Sequence, residues 1–435
     1  MTIEDKYIET YEKLYKNTRN STKMPALGYT SNLDILCDFQ IDILNELLAE
    51  YMHGEHLFDL KASKVIKTVQ DFLSTLVYFC GNGIGGEVEI EDFKIIESFF
   101  LTKNGIGGTA AQAAMALSAI EFPSIIHMTD DSKKVCDILC SPHIYTISPD
   151  GKLIHTNQVT QRSEQEIHYI IQFKKGDVIR LGEQELLIPV SNRLIVTKIT
   201  VNERLPFSHS YFEYIETHAK EISSNVLSSF NAIKDQNILK ERLDFIKQHI
   251  KKYKANNESG IVFFEDAHYH SNMIKKLCIE TIYSDVDIVC MNEEELENML
   301  KMYNFNINIE DIISCIEGMK FIKQNLMINK GVVVHTKDYS MYVGDKLDID
   351  IESGLVYGNM LATTKAMLGW YGSMKQISRV LELPLSKKGM SNREIIANSN
   401  YANETIIVPT KYIDNPKYTI GLGDSFIAGV QICFV

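Results

Sequence analysis

Positive charge is in short supply in this chain. Its 44 Lys and Arg stand against 57 Asp and Glu, a formal net charge of −13. A chain this acidic has no general attraction to nucleic acid or to anionic lipid, so neither is expected as a partner. Any phosphate it handles must be held locally, by backbone amides, a metal ion or a few placed side chains. The eight cysteines (37, 80, 136, 140, 278, 290, 315 and 433) include no Cys-x-x-Cys and no Cys/His cluster at zinc spacing. Buried, reduced thiols are the expectation. No apolar run approaches the ~20 residues that cross a bilayer. The opening MTIEDKYIETYEKLYK is charged and helical in pattern, unlike a secretory leader, and a cytoplasmic location is expected. With 24 glycines and nine prolines in 435 residues, disordered and collagen-like chains are excluded. The length exceeds the usual range of one domain, so two are expected.

What is present alternates. Residues 1–20 read as a polar helical lead-in, and 25–36 (PALGYTSNLDIL) as a short strand. Apolar spacing predicts helix over 40–80, and 81–86 is a glycine-rich turn. Residues 106–120 (IGGTAAQAAMALSAI) predict a small-residue helix opening on glycines. The runs SIIHM, HIYTI, IVFFE, VDIVCM and GVVVHT alternate with helical segments, which predicts an α/β fold with a mainly parallel sheet. Residues 151–205 break the rhythm with strand after strand, predicting a separate β layer that would serve as a lid. The pentapeptide NGIGG occurs at 82–86 and again at 104–108, read as two similar turns.

Four segments carry candidate chemistry. At Thr419-Ile420-Gly421-Leu422-Gly423-Asp424-Ser425-Phe426, glycines open an apolar helical stretch. Free amides and the helix dipole would make an anion site there without Lys or Arg. Asp424 suits a general base for a hydroxyl attacking a bound phosphate; the same residues would also serve as a plain helix cap. Phe263-Phe264-Glu265-Asp266 and Met291-Asn292-Glu293-Glu294-Glu295 each follow a β-like run. Adjacent parallel strands would bring Glu265 and Asn292/Glu295 to one sheet edge, where carboxylate and amide oxygens suit Mg2+. The bland reading is an acidic first helical turn. Asn32-Leu33-Asp34 puts an amide and a carboxylate on one side of an extended segment, suited to sugar hydroxyls or to a turn. Gly105–Gln112 lacks the Lys-Ser/Thr of a phosphate-binding P-loop; its glycines admit either a ligand or a close helix. His335-Thr336 alone would read as a satisfied core pair.

In this order the segments resemble the ribokinase-like sugar kinases, and more finely the ADP-dependent glucokinase and phosphofructokinase family. FFEDAHYH (263–270) and MNEEEL (291–296) look like that family's strand glutamate and GMNE-x-E-L pair. VVVHT (332–336), IIVPT (406–410) and TIGLGDSF look like its nucleotide strand, VPT segment and GLGD turn. EIHYIIQFKKGD (166–177) and NRLIV (192–196) look like its lid strands. The resemblance spans roughly 25–435. It implies a ribokinase-like, mainly parallel sheet flanked by helices, with a smaller β-sheet lid inserted: 1–45, 105–150 and 206–435 in the large nucleotide-binding domain, 46–104 and 151–205 in the lid. It implies a phosphotransferase of carbohydrate metabolism moving a phosphoryl group from Mg2+-bound ADP to a sugar hydroxyl, as a monomer or small homo-oligomer. Asp424 would be the base, and Gly421, Leu422 and Gly423 the anion hole. Asn32, Asp34, Glu87, Gly107, Gly108 and His168 would hold the sugar. Glu265, Asn292 and Glu295 would position Mg2+; Asn292, His335, Thr336 and Val408 would lie by the nucleotide. Glu87 favours glucose over fructose 6-phosphate by repelling a sugar phosphate, while Lys174, Lys175, Arg193 and Arg204 offer a 6-phosphate partners. The chain departs from the family pattern at Phe263, where it usually has His, at Thr109, where it often has Gln or Asn, and mildly at Ile420 and Ser425, where it usually has Val and Thr. An ATP-dependent kinase of another sugar or nucleoside, and a binding homologue without turnover, are the alternatives.

Overall fold

The structure, a computed structural model, describes residues 2–159, 165–198, 200–414 and 416–435. Residues 160–164 and 199, inside the stretch expected to form the lid, and 415 lie outside the described residues. Two compact units emerge. The larger comprises Met1–Ser31, Gly108–Gln161 and Asn202–Val435, and the smaller comprises Asn32–Gly107 and Arg162–Val201.

The larger unit is built on a ten-stranded sheet. Seven neighbouring strands run parallel: Gly331–His335, Ile288–Asn292, Ile261–Glu265, Ile222–Leu227, Met24–Leu27, Ser124–Ile126 and Ile144–Ile147. Their apolar runs are continuous because both faces are covered by helices, as a parallel sheet requires. The cover includes Gln236–Asn256, capped by Asp235 accepting from Asn237 and Ile238 amides at 2.7 and 3.1 Å. Phe264 on the sheet stacks on Phe230 at 6.0 Å and 3°. Antiparallel strands Tyr339–Gly344 and Thr405–Pro409 extend one side of the sheet, and Leu153–His155 closes the other.

Helices Ile351–Leu368 and Leu422–Gln431 cross at glycines. A Cβ on Gly429 would stand 2.5 Å from the Gly358 nitrogen, and one on Gly358 would stand 2.6 Å from the Phe426 ring. The lead-in helix Ile3–Asn20 docks here through buried Tyr7. The Tyr7 hydroxyl donates to Pro409 O at 2.9 Å, and Lys6 pairs with Asp350 at 2.9 Å.

The smaller unit is a six-stranded mixed sheet in the order Val65–Ile66, Gly86–Ile90, Asn192–Lys198, Ile167–Phe173, Asn32–Cys37, Thr102–Gly107. Helix Val69–Asn82 packs on it with a Thr68/Asp71 capping box at its start and Gly83, at φ 64°, at its end. Phe72 meets Phe99 and Phe100 in its core.

Several expectations change. The single strand expected over 25–36 is two strands in two sheets; Met24–Leu27 pairs with Ile222–Leu227, and Asn32–Cys37 with Thr102–Gly107. Between them Ser31 is held by Thr129 and Asp130, which turns the chain. The helix expected over 40–80 is broken: Ile41–Tyr51 ends before Gly54, at φ 82°, and helix resumes at Val69. Leu153–His155, expected in the β layer, instead folds back on Ile144–Ile147 through a turn at Gly151, tied by Ser148 to Asp150 at 2.5 Å. The second NGIGG is strand up to Gly107 and not a turn. The cysteines form no disulfide among the described residues, and Cys140 is exposed where burial was expected. No described helix is long and apolar enough to cross a membrane.

Candidate active site

Three adjacent strand ends of the larger unit assemble the first group. In the parallel ladder Glu265 lies opposite Cys290, and Asn292 opposite His335. Alternation within the middle strand puts Cys290 and Asn292 on one face, so Glu265, Cys290, Asn292 and His335 share it. Glu265 Oε1 is 3.6 Å from His335 Nε2. Asn292 and Glu295 form a reciprocal capping box: Asn292 Oδ1 accepts from the Glu295 amide at 2.9 Å, and Glu295 Oε2 accepts from the Asn292 amide at 2.8 Å. The acidic turn is therefore a helix cap, the bland reading of the sequence. Burial, then Asp266 and Glu265, push the Glu295 carboxyl up to about 8. Burial, with the charges of Asp424 and Asp266, pushes Glu265 well above the usual carboxylate range. Burial holds His335 below its usual value, so it is a neutral imidazole near pH 7. Asp266 was left out of the expected site; its carboxylate, fully withdrawn from solvent, pairs with Lys275 at 2.8 Å. Phe263, in the position of the family's usual His, is buried in the sheet near the Phe434 ring at 6.3 Å.

This cluster fits a divalent cation. Glu265 is 8 % exposed, yet its Oε2 has no hydrogen-bond partner. Buried oxygen acceptors without donors, beside other carboxylates, are favourable when a cation compensates them.

The second group is the turn into helix Leu422–Gln431. Gly421 caps it at φ 61°, ψ 28°, and its carbonyl accepts from the Ser425 amide at 3.1 Å and hydroxyl at 2.9 Å. Asp424 sits in the first turn. Gly423 faces the first group: a Cβ there would stand 3.3 Å from His335 Cε1 and 3.9 Å from Glu265 Oε1. Even an alanine there would press on the His335 ring by a few tenths of an ångström.

Sequence reasoning placed no cation at this turn, and that is corrected. Lys365, 2 % exposed, rises from helix Ile351–Leu368 and donates to Gly421 O at 3.2 Å. It also donates to Gln112 Oε1, which accepts from the Tyr371 hydroxyl at 2.7 Å as well. Gln112 comes from helix Thr109–Ser118, which Gly108 opens at φ 88°; Thr109 is that helix's first residue. A single lysine in the apolar run LATTKAML was the available signal.

Beside both groups opens a cavity of about 270 Å³ whose lining includes Asn292, His335, Thr336, Thr363, Gly423 and Phe426. His335 and Phe426 rings lie 4.8 Å apart at 38°. The Thr336 hydroxyl donates to Tyr339 O at 3.0 Å and accepts from two amides, fixing the turn at the rim. Val408 does not reach the cavity: it is fully buried in the sheet, and Thr410 and Lys411 line the cavity near it.

The third group belongs to the smaller unit. Asp34 lies opposite His168 in the parallel ladder, and Asn32 opposite Gly107. Asn32 Nδ2 donates to Asp34 Oδ1 at 2.7 Å and lies 3.3 Å from His168 Nδ1. A Cβ on Gly107 would collide with both Asn32 and Asp34. Glu166, absent from the expected site, is fully buried behind His168: Oε1 is 3.2 Å from Nε2, and Oε2 accepts from Thr200 N at 2.8 Å and Oγ1 at 2.7 Å. Burial pushes the Glu166 carboxyl up, but His168 and Thr200 outweigh it and hold it below its ordinary value. Burial pushes His168 down, but Glu166, with the charges of Asp34 and Glu87, outweighs it and holds the imidazole above its ordinary value. Glu87 itself is exposed on strand Gly86–Ile90.

The conserved region of ADP-specific phosphofructokinases and glucokinases matches residues 23–431. An ADP-dependent glucose/glucosamine kinase of Pyrococcus abyssi is 24 % identical, with 98 % of this chain and 97 % of that protein covered. An ADP-specific phosphofructokinase of Pyrococcus furiosus is 22 % identical over 94 % and 96 %. The structure of an ADP-dependent kinase in complex with fructose-6-phosphate and ADPβS superposes with a TM-score of 0.78 at 21 % identity, covering 99 % and 97 %. Matched over nearly its whole length, the chain belongs to the ADP-specific phosphofructokinase/glucokinase family.

Proposed function

We propose that the protein transfers a phosphoryl group from ADP to a hydroxyl of a sugar, with an unphosphorylated hexose such as glucose favoured over fructose 6-phosphate. The observation that carries this reading is the position of Gly423, whose Cα faces His335 and Glu265 at the strand ends. It puts an anion-binding turn, an aspartate and a carboxylate cluster together on the larger unit. A loose phosphoryl-transfer transition state calls for positioning and charge neutralisation more than covalent chemistry. Backbone amides at the start of helix Leu422–Gln431 receive the moving phosphoryl oxygens. Lys365 is a positioning residue: it grips the Gly421 carbonyl and places an ammonium beneath the turn. Asp424 accepts the proton of the attacking hydroxyl. Glu265, Asn292 and Glu295 would hold Mg2+, which when bound neutralises phosphate charge. The cavity bounded by His335, Thr336 and Phe426 takes the nucleoside end of ADP.

On the smaller unit, Asn32, Asp34 and His168 offer donors and acceptors to sugar hydroxyls, and the Glu166–Thr200 bonds fix the imidazole. Glu87 supplies the preference for an uncharged acceptor, since the phosphate of a sugar phosphate beside it is repelled. The relative from Pyrococcus abyssi, named a glucose/glucosamine kinase, supports the same acceptor class.

The test supplies purified protein with Mg2+, either ADP or ATP, and glucose, fructose 6-phosphate or ribose, and measures sugar phosphate directly. Transfer from ADP to glucose is expected. Transfer from ATP alone would replace the donor assignment, and tight sugar binding without transfer under any pairing would replace the kinase by a binding protein.

A further inference from the structure

The face shared by the three strand ends holds a donor that magnesium chemistry does not use. Cys290 is fully buried, and its sulfur is part of a trio with Glu265 and His335 in which one ligand atom from each lies within 4.8 Å of the others. The ladder explains the grouping, since Cys290 is the direct partner of Glu265 and His335 sits on the next strand, one alternation further on. Glu265 is buried beside the Cys290 thiol, which bonds its carboxyl, while its Oε2 and His335 Nε2 are buried polar atoms without a hydrogen-bond partner. The nearby ammonium of Lys275 is engaged by Asp266 and not by Glu265. We propose that Glu265, Cys290 and His335 form a site for a thiophilic divalent ion of the zinc and cobalt class, distinct in ligand set from the Mg2+ position.

Ligand chemistry carries this. A thiolate, an imidazole nitrogen and one carboxylate oxygen make a borderline-soft set that binds Zn2+ or Co2+ and discriminates against Mg2+. Donors on one tetrahedral ion stand roughly 3.4–3.6 Å apart, and the 3.6 Å between Glu265 Oε1 and His335 Nε2 already meets this. Seating the sulfur takes a side-chain adjustment of about an ångström on the same scale. Three protein donors leave a fourth position open, as in zinc sites that exchange ligands. Because Glu265 belongs to both ligand sets, a thiophilic ion and Mg2+ would compete for it.

The experiment titrates Co2+ into chelator-treated full-length protein without sugar or nucleotide, so its outcome is independent of the kinase reading. The expected result is one equivalent bound, with sulfur-to-cobalt charge-transfer absorption that millimolar Mg2+ does not displace. Cys290→Ser should abolish that absorption. His335→Gln should keep it while weakening binding by more than about tenfold, the scale of losing a metal contact. Cobalt bound without the sulfur band, the band surviving in Cys290→Ser, full affinity in His335→Gln, or displacement by equimolar Mg2+ would each overturn the site. Should Cys290→Ser fail to fold, the His335→Gln and Mg2+ arms still decide.

Discussion

Asp424 and Lys365 approach one turn from opposite directions in the sequence, and only the aspartate was legible. Asp424 stands in a short glycine motif whose local geometry any helix start would give it. Lys365 reaches the turn from another helix, and its neighbours in sequence read as plain core. Asp424→Asn is expected to lose at least ~10²-fold in turnover with nucleotide affinity little changed, the scale of a general base; near-normal turnover would contradict the assignment. Lys365→Met should lower kcat by about 10²–10³, the scale of losing a preorganised donor, with a smaller effect on KM for ADP. A change in thermal stability with kcat intact would reduce Lys365 to a packing role. The Glu166–His168 pair gives a pH prediction. His168 is raised in the folded protein, so its contribution is complete below its unfolded value, about 6.5, and is lost as pH rises through the folded one. Glu166 is lowered, so its contribution is present above its unfolded value, about 4.3, and is lost as pH falls through the folded one. The stability difference between the wild type and Glu166→Gln should therefore peak between those values and shrink on either side. A difference that stays flat with pH, in thermal midpoints, would refute it.

At the level of elements, what could be read was what both faces of a parallel sheet impose. IVFFE, IVCMN and GVVVH are apolar up to their last residue because helices cover them on both sides, and each ends in a polar residue proposed for the site: Glu265, Asn292 and His335. The division of 25–36 between two sheets was not readable, because partners of each half lie nearly 200 and about 70 residues away and register is a property of pairing. The hairpin at 144–155 is local; it was hidden because Leu153–His155 leads into the later strands with no helix between, so it read as part of that β layer. The crossing of helices Ile351–Leu368 and Leu422–Gln431 positions the Gly421 turn, and it depends on bare backbone at Gly358 and Gly429. Gly429→Ala should therefore cost about 1–3 kcal/mol or more, since its Cβ meets backbone that cannot swing aside. Urea denaturation would measure this, and an unchanged midpoint would show that the helices can separate freely.

The whole molecule carries −13, while its proposed donor is an anion. Like charges slow encounter, and salt screens them: the Debye length falls from about 30 Å at 0.01 M to about 8 Å at 0.15 M. kcat/KM for ADP at fixed free Mg2+ should rise over that range, opposite to the behaviour of a basic nucleotide-binding surface; a fall would place a positive field around the entrance. The chain passes between the two units at 31/32, 107/108, 161/162 and 201/202, and this has a consequence for biosynthesis. Met24–Leu27 and Asn32–Cys37 are inner strands of their sheets. The first neighbour of each, Ser124–Ile126 or Thr102–Gly107, emerges about 100 or 70 residues later, and the second, Ile222–Leu227 or Ile167–Phe173, about 200 or 130 residues later. At ribosomal speeds of about 5–20 residues per second, both wait on the order of ten seconds with one edge open. For that interval the nascent chain displays two unpaired strand edges at once, the form in which strands recruit wrong partners, and a holdase that binds extended apolar segments would find them there.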